Sequence, residues 1–293
     1  VIQLEKKIFI ESVTISKFKK KVVSLSIFGD SRKADDFWRQ MPQFLAAYTR
    51  AHFVLFPDYE LRIHHDEFIY QTNYGDVLHK FQRRGLLKLV YVASRPNQGK
   101  CEKMLWRWLP AFDSEVDFVF CRDVDSLPTW RERLIAEEFI DSGCVFGVVH
   151  DDPAHIKVLG GLCHAYVPLF RKAIGEDIKF ENFIALSKFD DMRFSVHGAD
   201  QDFLNEYITP KMISILEHSL FVLRGEDGER RYRSPTWPQS VLRTELLKPT
   251  KKVVDSVLED VRERSGSFIN YMGAAGGQTE AAIKYYDQIL KFG

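Results

Sequence analysis

Apolar positions along this chain repeat in two rhythms that alternate. The densest apolar run, Asp117-Phe118-Val119-Phe120-Cys121, reads as a buried strand, because β-branched and aromatic side chains fit a pleat covered on both faces. It stops at two carboxylates one residue apart, Asp123 and Asp125, and Pro128 bars its continuation. Residues 22–29 predict a first strand ending at a glycine, 57–64 a turn and a second strand, and 86–93 a third. Further strands are expected over 145–149 and 213–218. Between them the spacing changes to three and four. Phe37, Met41, Phe44, Leu45 and Tyr48 predict a helix over 35–52, and residues 97–109 a second. Leu134, Ile135, Phe139 and Ile140 predict a third over 131–142. Alternating strand and helix predicts an α/β fold, a doubly wound and largely parallel sheet with helices on both faces.

Length and composition change this picture little. The 293 residues, 45% of them hydrophobic, suffice for one large domain over 1–293, and no linker or repeat divides it. Lys plus Arg equals Asp plus Glu at 41 each, so no overall field favours nucleic acid or an acidic membrane. Cys101, Cys121, Cys144 and Cys163 lack metal or redox spacing and sit in apolar surroundings, as buried reduced thiols do; a cytoplasmic setting is expected. No apolar run reaches transmembrane length.

Candidate chemistry gathers at the strand end. Ligands bind at the carboxyl ends of the strands in open α/β sheets. Asp123 and Asp125 there would repel each other unless a cation sat between them, and oxygen donors suit Mg²⁺ or Mn²⁺, which commonly arrive bridged to phosphate. The preceding helix offers Lys100, Lys103 and Arg107; Lys103 reads as a surface charge, and Arg107, between Trp106 and Trp108, as held in place. Gly160-Gly161 inside an apolar segment marks a close backbone approach. Asp200, Gln201 and Asp202 open an apolar-periodic segment, where they serve either as helix caps or as groups projected into the cleft. His150, His155 and His164 match no zinc spacing. Residues 224–234 predict a charged loop, and the glycine-rich stretch ending at Gly277 could fold over a phosphate through Gly273.

Taken together these residues resemble glycosyltransferases of the GT-A fold, and among them the retaining family 8 enzymes. The likeness rests on Arg122-Asp123-Val124-Asp125 as a DxD motif, followed in order by a Gly-Gly segment, Asp200-Gln201-Asp202 with Leu204-Asn205, and a late glycine loop. The late His-x-x-Gly-x-x-Lys motif of family 8 is missing; the corresponding stretch runs from Asn270 to Gly276. The resemblance implies a nucleotide-binding half over about 22–120 and a metal, acceptor and catalytic half over about 121–277. It implies transfer from a nucleotide-diphosphate sugar, a UDP-sugar foremost and a GDP-sugar as the alternative, to a glycan or other hydroxyl acceptor, with retention. Asp123 and Asp125 would hold Mn²⁺ or Mg²⁺, with His218 preferred to Asn270 as third ligand. Ser26, Ile27, Phe28 and Gly29 would hold the nucleoside. Arg107, Lys100, Arg122, Asp123 and Gly273 would contact the donor. Gly160 and Gly161 would line the sugar or acceptor pocket, Asp200 would orient the donor sugar, and Gln201 would face the anomeric carbon. With inversion, Asp200 or Asp202 becomes the general base.

Other readings compete. A haloacid-dehalogenase-type phosphohydrolase also ends a strand in Asp-x-Asp, and Asp190-Asp191 could be its distal pair, but that motif opens its domain, whereas at least three candidate strands precede this one. A nucleotidyltransferase would show a glycine-rich, basic stretch after the first strand. A sugar-binding module would explain the aromatics and leave the paired acids unexplained.

Overall fold

A computed structural model describes residues 20–29, 36–71, 74–150, 157–187 and 189–219, and the strand residues 221–222, 231–232 and 240–242. Among the described residues eight strands form one sheet. In chain order they are β1 (Lys21–Ile27), β2 (Glu60–His65), β3 (Lys88–Tyr91), β4 (Phe118–Arg122), β5 (Phe146–His150), β6 (Leu162–Tyr166), β7 (Ile215–Ser219) and, after a separate hairpin of β8 (Phe221–Val222) and β9 (Arg231–Tyr232), β10 (Ser240–Leu242). Their spatial order is β10-β7-β5-β6-β4-β1-β2-β3. β1, β2, β3 and β4 run parallel, and so do β5 and β7; β6 is antiparallel to both β4 and β5, and β10 to β7. The expected α/β architecture, a mostly parallel sheet flanked by helices, is what the chain adopts.

The period-2 alternation that predicted the central strand divides the core in two. From β4, Phe118 and Phe120 enter one apolar cluster with Val23, Leu25, Tyr48 and Phe139, while Val119 and Cys121 enter the opposite one with Val22, Trp106, Trp108 and Phe203. Both faces are therefore dry, which is why these strands lack polar alternation. The first cluster is covered by α1 (Asp36–Leu55) and α4 (Trp130–Ser142). α4 starts where Thr129 Oγ1 accepts from the Glu132 amide at 3.2 Å and ends at Gly143, whose φ of 68° suits a residue without Cβ.

One expectation needs correcting. The helix predicted over 97–109 is α3 (Lys100–Met104) followed by a 3₁₀ segment, Leu105–Phe112, that contains Pro110; the missing N–H and restricted preceding residue oppose an α ladder there. Gly160-Gly161, where a close backbone approach was expected, lies just before β6. α2 (Tyr74–Arg83), α5 (Val167–Ile174) and α6 (Phe180–Ile184) were not foreseen. Residues 224–230 of the expected charged loop, Gly273 and Asn270 lie outside the described residues.

Candidate active site

Parallel alignment brings the ends of β1, β2 and β4 to one edge, with Ile27 paired to His65 and Ser24 to Cys121. Asp123 is the first residue beyond β4. Because β6 runs antiparallel to β4, with Arg122 paired to Leu162, the chain entering β6 starts at that same edge and sets Gly161 beside Asp123. The fit is close: a methyl on Gly161 would lie 1.9 Å from Asp123 Oδ2, and one on Gly160 would lie 2.7 Å from Asp200 Oδ2. The two glycines thus form a floor on which two carboxylates rest.

Arg107 joins those carboxylates. Its Nη1 donates to Asp123 Oδ1 at 2.6 Å and its Nη2 stands 3.8 Å from Asp200 Oδ2, while Nε donates to the Met104 carbonyl at 2.7 Å. The Arg107 side chain is 3% exposed and that of Asp200 9%, against 42% for Asp123, so Asp123 is the open member. Burial lowers the Arg107 pKa, and the attraction of Asp123 and Asp200 more than reverses this, leaving a permanent cation. Burial raises Asp200 above the usual carboxylate range, with Arg107 opposing. Asp125 is pushed up to about 6, first by burial and then by the Asp123 charge. α7 (Ala199–Phe203) delivers Asp200; its cap position is Gly198, with φ 84°, so Asp200 is not the capping residue.

The remaining sequence candidates are placed as follows. Ser26 and Phe28 are buried at the end of β1; Ser26 Oγ faces the Met104 carbonyl at 3.5 Å, and Phe28 meets Trp106 edge-on at 5.9 Å. Ile27 is a core side chain, so only its backbone could meet a ligand, whereas Gly29 is exposed. Lys100 is exposed at the start of α3. Arg122 turns inward, 2% exposed, against Glu132; alternation along β4 aims it away from the side on which Asp123 opens. Gln201 is half-buried and its carbonyl accepts from Asn205 at 2.7 Å. Asp202 is gripped by Lys157 at 2.8 Å and Arg193 at 2.6 Å, and these partners, Lys157 first, hold its carboxyl below the usual range. His218 is fully buried in β7 with Nε2 3.2 Å from Glu138 Oε2, so the nearest acid the structure gives it is on α4 and not at the β4 end.

One group at the edge was misjudged and another missed. Lys103 is largely buried, not a free surface charge: its Nζ donates at 2.9 Å to Asp66 Oδ2, which also accepts from Ser94 at 3.2 Å. Asp66 immediately follows β2 as Asp123 follows β4, and that parallel was the available signal. Lys103 Nζ also lies 5.6 Å from the Trp106 ring centre.

No family model matches the chain and no curated protein matches it. Solved structures share its general outline. A Bacillus anthracis protein described as a glucose-1-phosphate thymidylyltransferase is 11% identical with a TM-score of 0.44, covering 68% of this chain and 86% of that one. Mouse xyloside xylosyltransferase 1 is 14% identical at 0.38, covering 69% and 85%. A Desulfovibrio desulfuricans protein described as a nucleotide-diphospho-sugar transferase is 11% identical at 0.39, covering 92% and 98%. Likeness this distant decides nothing about chemistry, which has to be read from the side chains.

Proposed function

We propose that the protein transfers a sugar from a nucleotide-diphosphate sugar to a hydroxyl acceptor, with a divalent cation at the β4 end. One observation carries the reading: a buried arginine spans two carboxylates, Asp123 and Asp200, on a diglycine floor at the carboxyl edge of a mostly parallel sheet. Such an edge is where open α/β sheets bind ligands. A guanidinium there is a ready partner for phosphate oxygens.

The donor set fits a hard cation. Asp123 is open, and Asp125, raised first by burial and then by the Asp123 charge, is a carboxyl whose charged form a divalent ion would favour. Among the described residues no group of three His, Cys, Asp or Glu is arranged around a metal, so phosphate and water would supply the remaining ligands. The ion, when bound, neutralises charge on the departing nucleoside diphosphate. The protein's own groups do the rest. Arg107 holds phosphate oxygens and keeps Asp123 oriented. Gly160 and Gly161 line the sugar pocket by letting the Asp200 and Asp123 carboxylates lie against the backbone. Asp200, with its raised pKa, either orients the sugar by hydrogen bonding or takes the acceptor proton, and the closed surroundings exclude water. Transfer proceeds with retention, with Gln201 on the open face of the anomeric carbon. Ser26, Phe28 and Gly29 at the β1 end, with Lys100 beyond, would border the nucleoside and phosphates.

The test is incubation with UDP- or GDP-sugars, Mn²⁺ and candidate hydroxyl acceptors, following nucleoside diphosphate release. Transfer should stop in EDTA and in Asp125→Ala, and the product anomer, read by NMR, assigns retention or inversion. Release of pyrophosphate from a nucleoside triphosphate and sugar phosphate instead would establish nucleotidyl transfer and overturn this reading.

A further inference from the structure

A second arginine, Arg122, directly precedes Asp123 in the chain and hydrogen-bonds the backbone of one glycine of the floor. It is the last residue of β4, and its side chain is 2% exposed. Its Nη1 donates to the Gly161 carbonyl at 2.9 Å. Its Nε pairs with Glu132 Oε1 at 2.7 Å, and the Tyr48 hydroxyl of α1 stands beside the same guanidinium. Glu132 is 5% exposed and belongs to the first turn of α4, the turn whose amide Thr129 caps. Burial pushes the Glu132 carboxyl up while Arg122 pulls it back. A strand, two helices and the diglycine turn therefore meet on one buried charge.

The expense of burying two charges is an argument in itself. A buried ion pair contributes little net stability and is often replaceable by apolar side chains without loss, so stability alone explains Arg122 and Glu132 poorly. What the pair does reach is Gly161, through the Arg122 hydrogen bond to its carbonyl at 2.9 Å. That residue's α-carbon abuts the Asp123 carboxylate, where even a methyl would come within 1.9 Å of Oδ2. A carbonyl drawn toward Arg122 sets the floor, and the floor limits the rotamers open to Asp123.

We propose that Arg122 and Glu132 are positioning residues: the pair fixes Gly161 by its carbonyl and so holds Asp123 in the orientation that Arg107 and the donor require. This rests on the transferase reading above and names residues that act on that site from behind.

The discriminating variant is the double substitution Arg122→Met with Glu132→Leu, compared with wild type for melting temperature, kcat and donor KM. Removing both charges together avoids an unpaired buried ion, so the melting temperature should equal or exceed that of wild type. kcat should nevertheless fall by about 10²-fold, the scale set by a displacement near 1 Å, with a smaller change in KM. Wild-type kcat in the folded double variant would overturn the proposal and leave the pair a structural feature. Should the double variant not fold, Arg122→Lys is read the same way. Lysine keeps the charge toward Glu132 but cannot donate along two directions in one plane, so lost turnover supports the proposal and full turnover refutes it. A wild type that transfers no sugar would instead remove the transferase reading, and this proposal with it.

Discussion

At Gly161 a single hydrogen in place of a methyl decides whether Asp123 can lie where it does. Its φ is not in the left-handed region, so a substitution there acts through space and not through backbone strain. Gly161→Ala should lower kcat/KM by about 10²-fold with the fold retained, because the methyl has to displace the carboxylate. Gly160→Ala should cost less, since its methyl would meet Asp200 Oδ2 at 2.7 Å and Arg107 Cζ at 3.5 Å. The opposite ranking in steady-state kinetics would argue against Asp123 as the sensitive group. Asp200 poses the complementary question of charge. It is nearly buried beside Arg107, and Asn preserves its shape. Asp200→Asn should therefore cut kcat by about 10²-fold or more if the carboxylate works on sugar or acceptor, with donor affinity changing much less. A wild-type rate would leave it as a counter-ion to Arg107 alone.

Among the elements, β4 and β6 matter most, because their antiparallel pairing carries Gly160 and Gly161 to the end of the strand that bears Asp123. α1 and β2 show how the flanking layer is secured: His52 Nε2 meets the Tyr59 carbonyl at 3.1 Å, and the ring stacks on Phe56 at 5.5 Å. Burial first, and then Arg133, depress the His52 pKa to about 4. A group depressed in the folded state leaves the unfolded chain binding the extra proton, so its contribution is complete above about 6.5 and is lost as pH falls toward 4. Comparing wild type with His52→Gln isolates that one proton from other titrating groups. The stability advantage of wild type should shrink by about 1.4 kcal/mol per pH unit in this window, measured by urea unfolding. A constant gap between pH 6.5 and 4 would show that His52 takes up its proton in the fold as readily as in the unfolded chain. Lys103 teaches a related lesson: helical spacing could not distinguish a solvated lysine from one sealed onto Asp66.

For the molecule as a whole, the described residues hold no helix long and apolar enough to cross a membrane, and the sheet edge carries Asp123, Asp200 and the Arg107 guanidinium between them. A ligand bridging that edge binds the folded state alone, so it should raise the melting temperature by mass action. UDP or GDP with Mn²⁺, at about 100 times the dissociation constant, should add about 2.7 kcal/mol. Asp125→Ala should abolish the shift and leave the unliganded protein near its original melting temperature. An equal shift in EDTA would show that nucleotide binding needs no cation, and the role given to Asp123 and Asp125 would fall.

Local chemistry is enough to explain what could be read from the chain alone. β-branched and aromatic runs made β4 a two-sided strand, its abrupt acids marked where the strand ends, and Gly160-Gly161 announced a close approach, because each signal depends on neighbours within a few residues. Tertiary structure decided the partners. Which carboxylate Arg107 reaches, that Arg122 turns from the cleft to Glu132, that two cations claim Asp202, and that His218 pairs with Glu138 all depend on which strands pair and in what direction. Charge attraction acts between groups close in space, and residues 16, 45 and 80 positions apart become neighbours only when the sheet has closed.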